Sequence, residues 1–288
     1  MLIIKNYFKA PIQKFLRYKA KSSIQQLSLH NSEKIRAIGN ALSETLSNSL
    51  SPKELEFINL VEKRRLLLLS TEKKISVIDY GAGKSRLNRT KEEMENGIES
   101  SLKISDICRA SKQSFWATFL FKLVRKLKPV SCVELGSCVG ISASYQAAAL
   151  KINGKGNLVT LEGSPEVAKI AQETLEVMKL KEASVVTGPF HKTLSNVLET
   201  SKPIDFFFND GHHDHNAVIN YFIKSLPNLS NEAVIIFDDI SWSSGMRKAW
   251  TQIENDERVS TSIDLRDIGI VLIGNKSATK DKFRIPLK

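Results

Sequence analysis

Through the first 130 residues apolar side chains recur every three to four positions. Ile35, Ile38, Leu42 and Leu46, then Leu55, Ile58, Leu60 and Val61, keep this spacing and predict helices between Ser32 and Ser70. Ser51 ahead of Pro52 supplies a cap and a first-turn residue for the second of them. Ile107, Phe115, Phe119, Leu120, Leu123, Val124 and Leu127 predict one more helix over 105–128, which Pro129 stops. The texture then changes. Short apolar runs, Val130–Leu135, Asn157–Leu161, Ala183–Val186, Ile204–Phe208 and Ala233–Phe237, alternate with helical stretches at 141–151, 165–179, 190–200 and 215–226. Val259–Leu265 and Ile268–Ile273 read as a closing pair of strands, with Arg266 and Asp267 at the turn. The alternation predicts an α/β fold: a Rossmann-like, doubly wound, mostly parallel sheet of seven strands beneath an N-terminal helical cap. The corresponding division is residues 1–32, a cap over 33–128 with a Gly-rich loop at 81–86, and a core over 129–288.

Composition narrows the class. The chain has 288 residues, of which 42% are hydrophobic, enough for a sizeable core and against disorder. No apolar run approaches the ~20 residues needed to span a bilayer. Cys108, Cys132 and Cys138 are an odd set without metal-site spacing, so a reducing, cytoplasmic setting is expected. Charge is uneven. Residues 1–130 hold 25 Lys and Arg against 12 Asp and Glu, a balance of +13, whereas 131–288 balance at −2. A near-neutral second half suits a small-molecule enzyme, and the basic first half suggests an anionic surface partner. Residues 1–32 carry Lys5, Lys9, Lys14, Arg17, Lys19 and Lys21, no acid, and Ile4, Phe8, Ile12 and Leu16 at helical spacing. That stretch reads as a docked or solvated helix, or as peripheral contact with an anionic membrane through residues 1–21.

The chemistry gathers at predicted strand ends. In Val133-Glu-Leu-Gly-Ser-Cys-Val-Gly-Ile-Ser142 an apolar strand ends in an acid and a glycine turn that opens a helix. Gly136 permits a tight turn and close backbone approach, and Gly140 lets the helix start against a ligand. The next strand ends at Glu162, 26 residues after Gly136, where a carboxylate can accept from both ribose hydroxyls of a nucleoside. Two features favour S-adenosylmethionine over a dinucleotide: Glu134 suits a cationic amino acid tail, and the loop reads Gly-x-x-x-Gly rather than Gly-x-Gly-x-x-Gly. A second glycine segment, Gly81-Ala-Gly-Lys-Ser85, fails the P-loop spacing. It reads as a surface loop or lid, or as a further anion site.

Val133–Ser142, Val159–Ile170, Ile204–His213 and Val234–Ile240 together resemble the class I S-adenosylmethionine-dependent methyltransferases, and among them the metal-dependent small-molecule O-methyltransferases similar to catechol O-methyltransferase and to macrolide sugar O-methyltransferases. The resemblance covers roughly residues 105–275. With the upstream Gly-Ala-Gly loop and the downstream Phe-Asp-Asp-Ile-Ser-Trp-Ser block, the chain also resembles a branch of that superfamily for which no substrate is implied. The resemblance implies that Glu134, Gly136, Ser137 and Gly140 hold the methionine part of the cofactor and Glu162 the ribose, with Ser142 and Gly163 also among the cofactor-binding residues. Thr187-Gly-Pro-Phe190 stands where the family often has a polar residue near adenine.

Asn209-Asp-Gly-His-His-Asp-His215 and Phe237-Asp238-Asp239 follow two further strands, and parallel strands open on one edge, so Asp210, Asp238 and Asp239 can converge. Three close carboxylates repel, and Mg²⁺ or Mn²⁺ would relieve the repulsion. The resemblance implies metal ligands at these positions and a general base three residues after the first, His213, with Asp210 sharing the catalytic work. The plainer alternatives stay open: the His212–His215 stretch caps the following helix, and the two aspartates orient their loop without metal. Trp242 walls a substrate pocket or simply packs, and Lys112 and Gln113 close over the cofactor. The expected partner is a small-molecule, glycosyl or lipid-like acceptor, and a homodimer is allowed. An RNA methyltransferase is the weaker reading, because Asn209-Asp-Gly-His lacks the Asn/Asp-Pro-Pro-aromatic pattern of base-amino enzymes. A non-catalytic membrane-surface protein is the third.

Overall fold

The computed structural model describes residues 20–81, 89–274 and 280–287. The apolar stripe of residues 4–16 and the glycine-rich loop beyond Gly81 lie outside the described residues.

The chain first forms an antiparallel pair, β1 (Lys74–Asp79) with β2 (Ile98–Lys103). The runs after Pro129 become β3 (Ser131–Leu135), β4 (Asn157–Glu162), β5 (Ala183–Thr187), β6 (Ile204–Asn209), β7 (Leu229–Phe237), β8 (Val259–Asp264) and β9 (Gly269–Ile273). With β10 (Asp281–Arg284) they make one sheet in the order β10-β8-β9-β7-β6-β3-β4-β5. β9 runs antiparallel to β7 and β8, and the remaining pairings are parallel. The doubly wound fold is as expected, with eight strands in place of seven. β10 adds to the edge through β8, and Asp-Lys-Phe-Arg offers a single apolar side chain from which no period can be read.

Both faces of the sheet are covered, which is why its central strands read as unbroken apolar runs. Phe206 and Phe208 belong to one core and Phe207 to the other, the two-residue alternation of a strand. The first core takes the helices Ile141–Asn153 and Pro165–Val177 together with the cap helices Glu33–Leu46, Pro52–Leu69 and Ser114–Leu127. The second takes Phe190–Ser201, His215–Ser225 and Ser244–Asn255. Ser51 and Glu54 form a reciprocal capping box at Pro52, satisfying two helix-end donors. Glu54 then reaches the buried Lys122 at 2.8 Å, and Glu44 reaches the same ammonium at 2.9 Å, binding the cap helices to one another by charge. Burial would raise the Glu54 carboxyl, but Lys122, the Ser51 backbone N–H and Arg125 together outweigh it and bring it down to about 2.

The single helix expected over 105–128 is two. Ile104–Arg109 ends at Ala110, and Ser114–Leu127 starts after an extended Gln113. The apolar period runs across this break, so spacing alone hides it, and the break delivers Lys112 to the sheet edge. Among the described residues no helix is long and apolar enough to cross a membrane.

Candidate active site

Strand order reverses at β3, whose neighbours β4 and β6 lead to opposite sides of the sheet, and the carboxyl ends beside that reversal open a crevice. Backbone hydrogen bonds extend the ladders past the strands: Gly136 N donates to Leu161 O at 2.9 Å, Asp210 N to Leu135 O at 3.0 Å, and Asp238 N to Asn209 O at 3.0 Å. The loops after β3, β6 and β7 are therefore held in register with one another.

A cavity of about 220 Å³ lies in the crevice. Gly136, Cys138, Glu162 and Gly163 form its floor, Pro189, Phe190, Gly211 and His212 one wall, and Val77 to Gly81, from the end of β1, the other. Gly136 is needed there for a close approach: at φ +92° an added Cβ would stand 2.6 Å from Asp210 O. Glu162 accepts from Cys138 N at 2.9 Å on one oxygen and from Ser164 N at 3.0 Å on the other, leaving lone pairs on both. Burial pushes its carboxyl up to about 7 against those bonds. His212 Nδ1 is buried without a hydrogen-bond partner. Tyr80 packs on Gly163, where an added Cβ would meet its ring at 2.7 Å. A nucleoside fits these residues: a carboxylate with free lone pairs, an orphaned imidazole nitrogen, and two aromatic rings.

The remaining loop residues support the site from beneath. Glu134 is fully buried and accepts from Gln146 Nε2 at 2.8 Å and Thr160 Oγ1 at 2.6 Å, and burial above all pushes it up to about 7. Ser137 Oγ donates to Thr160 Oγ1 at 2.5 Å, the Thr160 hydrogen being given to Glu134, and the buried Ser142 accepts from Gln146 through its carbonyl. Gly140 faces the Pro165–Val177 helix, with an added Cβ 2.9 Å from Ala171 Cα, so this glycine serves helix packing.

Next to the cavity, Asp210, His213 and Asp238 bring one ligand atom each within 4.8 Å of one another. Asp239, with φ +52°, lies outside that group, and its carboxylate stands 3.6 Å from His213 Nδ1. His213 Nε2 stands 3.6 Å from Asp210 Oδ1, an ion-pair separation beyond hydrogen-bond length, and has no hydrogen-bond partner. Burial pulls the His213 pKa down, but Asp210 and then Asp239 pull harder, and the net shift is upward. The Trp242 ring packs edge-on against His213 at 5.4 Å. Asp214 caps the following helix, accepting from Asn216 N and Ala217 N, while His215 turns to Asn216.

Lys112 supplies the cation here. Its ammonium pairs with Asp210 Oδ2 at 3.2 Å and contacts Asp238 Oδ2 directly. Burial would raise the Asp210 pKa, yet Lys112 and then His213 hold it below the ordinary value. The donor atoms for a divalent ion are present, but the ammonium stands among them, so the residues as arranged do not fit Mg²⁺ or Mn²⁺. Gln113 is exposed, and neither it nor Lys112 lines the cavity. Sequence reasoning placed Lys112 over the cofactor and missed its role against the aspartates.

Residues 133–240 match a family model described as a methyltransferase domain. No curated protein matches the chain. Among solved structures, the chain is similar to an O-methyltransferase from Bacillus cereus in complex with SAH, at 26% identity and TM-score 0.50, covering 58% of this chain and 85% of that one. It is also similar in fold to an SAH-bound methyltransferase, PaMTH1, of Podospora anserina, at 18% identity and TM-score 0.51, covering 59% and 82%. A cofactor-bound protein of MTB, Rv0187, gives 21% and 0.51, covering 58% and 83%.

Proposed function

We propose that this chain, a class I S-adenosylmethionine-dependent methyltransferase by the domain it carries over residues 133–240, moves a methyl group to an oxygen of a small-molecule, glycosyl or lipid-like acceptor with His213 as general base. The observation that carries this reading is the adjacency of two sets of residues at one strand-order reversal. Glu162 lines the cavity, and His213 stands next to its lining residue His212 with Nε2 unpartnered.

Bound S-adenosylmethionine supplies a methyl group on a positively charged sulfur that leaves as a neutral thioether. Glu162 would accept the ribose hydroxyls with the lone pairs its backbone donors leave open, Phe190 and Tyr80 in the cavity lining would offer apolar rings to the base, and Gly136 would let the chain approach the ligand. The buried Glu134, Ser137 and Ser142 brace the loop that holds the amino acid end. An alcohol is a weak nucleophile until its proton is taken. His213 Nε2 receives that proton, Asp239 faces the ring at Nδ1, and the charges of Asp239 and the nearby Asp210 stabilise the imidazolium that forms.

Calorimetric titration with S-adenosylmethionine and S-adenosylhomocysteine tests the proposal. Binding in the micromolar range is expected, weakened by Glu162→Ala and left nearly intact by His213→Ala. Affinity should also fall as pH drops below about 7, because Glu162 then takes up a proton and loses an acceptor site. Absence of binding to either nucleoside, or equal binding by Glu162→Ala, would refute the assignment of this cavity.

A further inference from the structure

The segment between residues 110 and 113 lies outside the matched methyltransferase domain, yet it places one charged side chain in the middle of the candidate catalytic cluster. Lys112 is 11% exposed and Asp238 2%, so the ammonium meets carboxylates rather than water. The segment is fixed from behind: Ser111 Oγ donates to Cys108 O at 2.6 Å and accepts from Arg65 Nη1 at 3.1 Å. An ammonium has three N–H donors. Asp210 and Asp238 take two.

We propose that Lys112 is the built-in cation of this site: its ammonium stands where a divalent ion would have to sit between Asp210 and Asp238, and its third N–H holds the acceptor oxygen, so that the site works without a metal. The inference rests on the methyltransferase reading for the acceptor, but not for the ion. Mg²⁺ or Mn²⁺ needs oxygen ligands at roughly 2.0–2.2 Å, and would have to use the same carboxylates that Lys112 already bridges. A dication placed beside the ammonium would be repelled by it, whereas the ammonium alone already offsets one of the two carboxylate charges. Asp239 points to His213 Nδ1 instead of into the cluster, which leaves the ion one expected ligand short. The acceptor's proton passes to His213 Nε2, and the lysine stays protonated throughout, acting by charge and direction. These are the tasks a metal ion performs when it binds and orients an alcohol oxygen.

The test is a Mn²⁺ titration of the full chain, read by electron paramagnetic resonance, for the wild type, Lys112→Ala and Lys112→Ala with Asp238→Asn, with S-adenosylhomocysteine binding measured in parallel. The wild type should show no Mn²⁺ site tighter than about millimolar, and its nucleoside affinity should be indifferent to a chelator. Lys112→Ala should keep its nucleoside affinity and gain Mn²⁺ affinity by at least about tenfold, and the added Asp238→Asn should abolish the gain. Micromolar Mn²⁺ binding by the wild type overturns the proposal whether or not the variant folds. So does a folded Lys112→Ala that gains nothing. If the nucleoside fails to bind the wild type while the Mn²⁺ results hold, the methyltransferase reading falls and Lys112 remains the cation of the cluster.

Discussion

His213 lies between two carboxylates, and that position decides where it titrates. Burial alone would favour the neutral ring, but Asp210 at one nitrogen and Asp239 at the other favour the charged one, and the balance is upward from 6.5. A base works only when neutral, so turnover should rise with pH through a midpoint above 6.5. The same midpoint is open to direct NMR titration of the imidazole. Asp239→Asn removes one stabilising charge and should move the midpoint down, with an unchanged midpoint showing that Asp239 does not act on the ring. His213→Ala should cost about 10²–10⁴ in rate. Residues of this kind were legible in the sequence because they follow apolar runs: Glu162, Asp210, His213 and Asp238 each sit at or just past a strand's carboxyl end. Glu134 follows the same rule and yet is buried under the loop, because β3 is covered on both faces and no alternation tells which way its acid points. Lys112 was legible only as a residue closing over the cofactor, and its place against the aspartates carried no signal, since it lies in a helix break that the apolar period runs straight across.

At the scale of elements, the unread feature is the β1–β2 pair. Ile75, Val77 and Ile78 make a short apolar run, but its partner Ile98–Lys103 is mostly polar and exposed, so no pattern points to pairing. Pairing matters because it carries the end of β1 over the cavity. Ile78 N donates to Ser164 Oγ at 3.2 Å, fixing β1 to the loop after β4, and Tyr80 then lies on Gly163. Arg89 bonds Asp79 Oδ2 at 2.9 Å and Gly81 O at 2.7 Å, bracing the same turn. The end of β1 therefore builds one wall of a site whose floor comes from the loops after β3 and β4. Tyr80→Ala should weaken S-adenosylhomocysteine binding by roughly three- to tenfold, the range of ~0.5–1.5 kcal/mol that an aromatic contact contributes. Its thermal midpoint should hardly move, because the ring packs against a loop glycine rather than in the main core. Calorimetry on the variant decides this, and full affinity would remove β1 from the site.

Over the whole molecule, charge and apolar exposure fall on the same half. The +13 balance belongs to residues 1–130, and in that half the helix Pro52–Leu69 turns its buried side, Ile58, Val61 and Leu68, inward while Leu55, Leu60, Leu66 and Leu67 stay 42–67% exposed. Leu66 and Leu67 are neighbours at the end of that helix and both are exposed. A leucine-bearing face in a basic half suits an anionic lipid surface, where lysines supply the attraction and leucines the insertion. Vesicles containing anionic lipid should bind the wild type in low salt and release it as salt is raised, with neutral vesicles binding far less. Deleting residues 1–21 removes six positive charges and should weaken binding by about tenfold or more. Leu66→Glu with Leu67→Glu should weaken it by a similar factor without changing nucleoside affinity, since neither leucine is near the cavity. Binding to neutral and anionic vesicles alike would point to apolar insertion alone, and no binding to either would leave the basic half to another anion, for which a salt-dependent titration with RNA is the matching measurement.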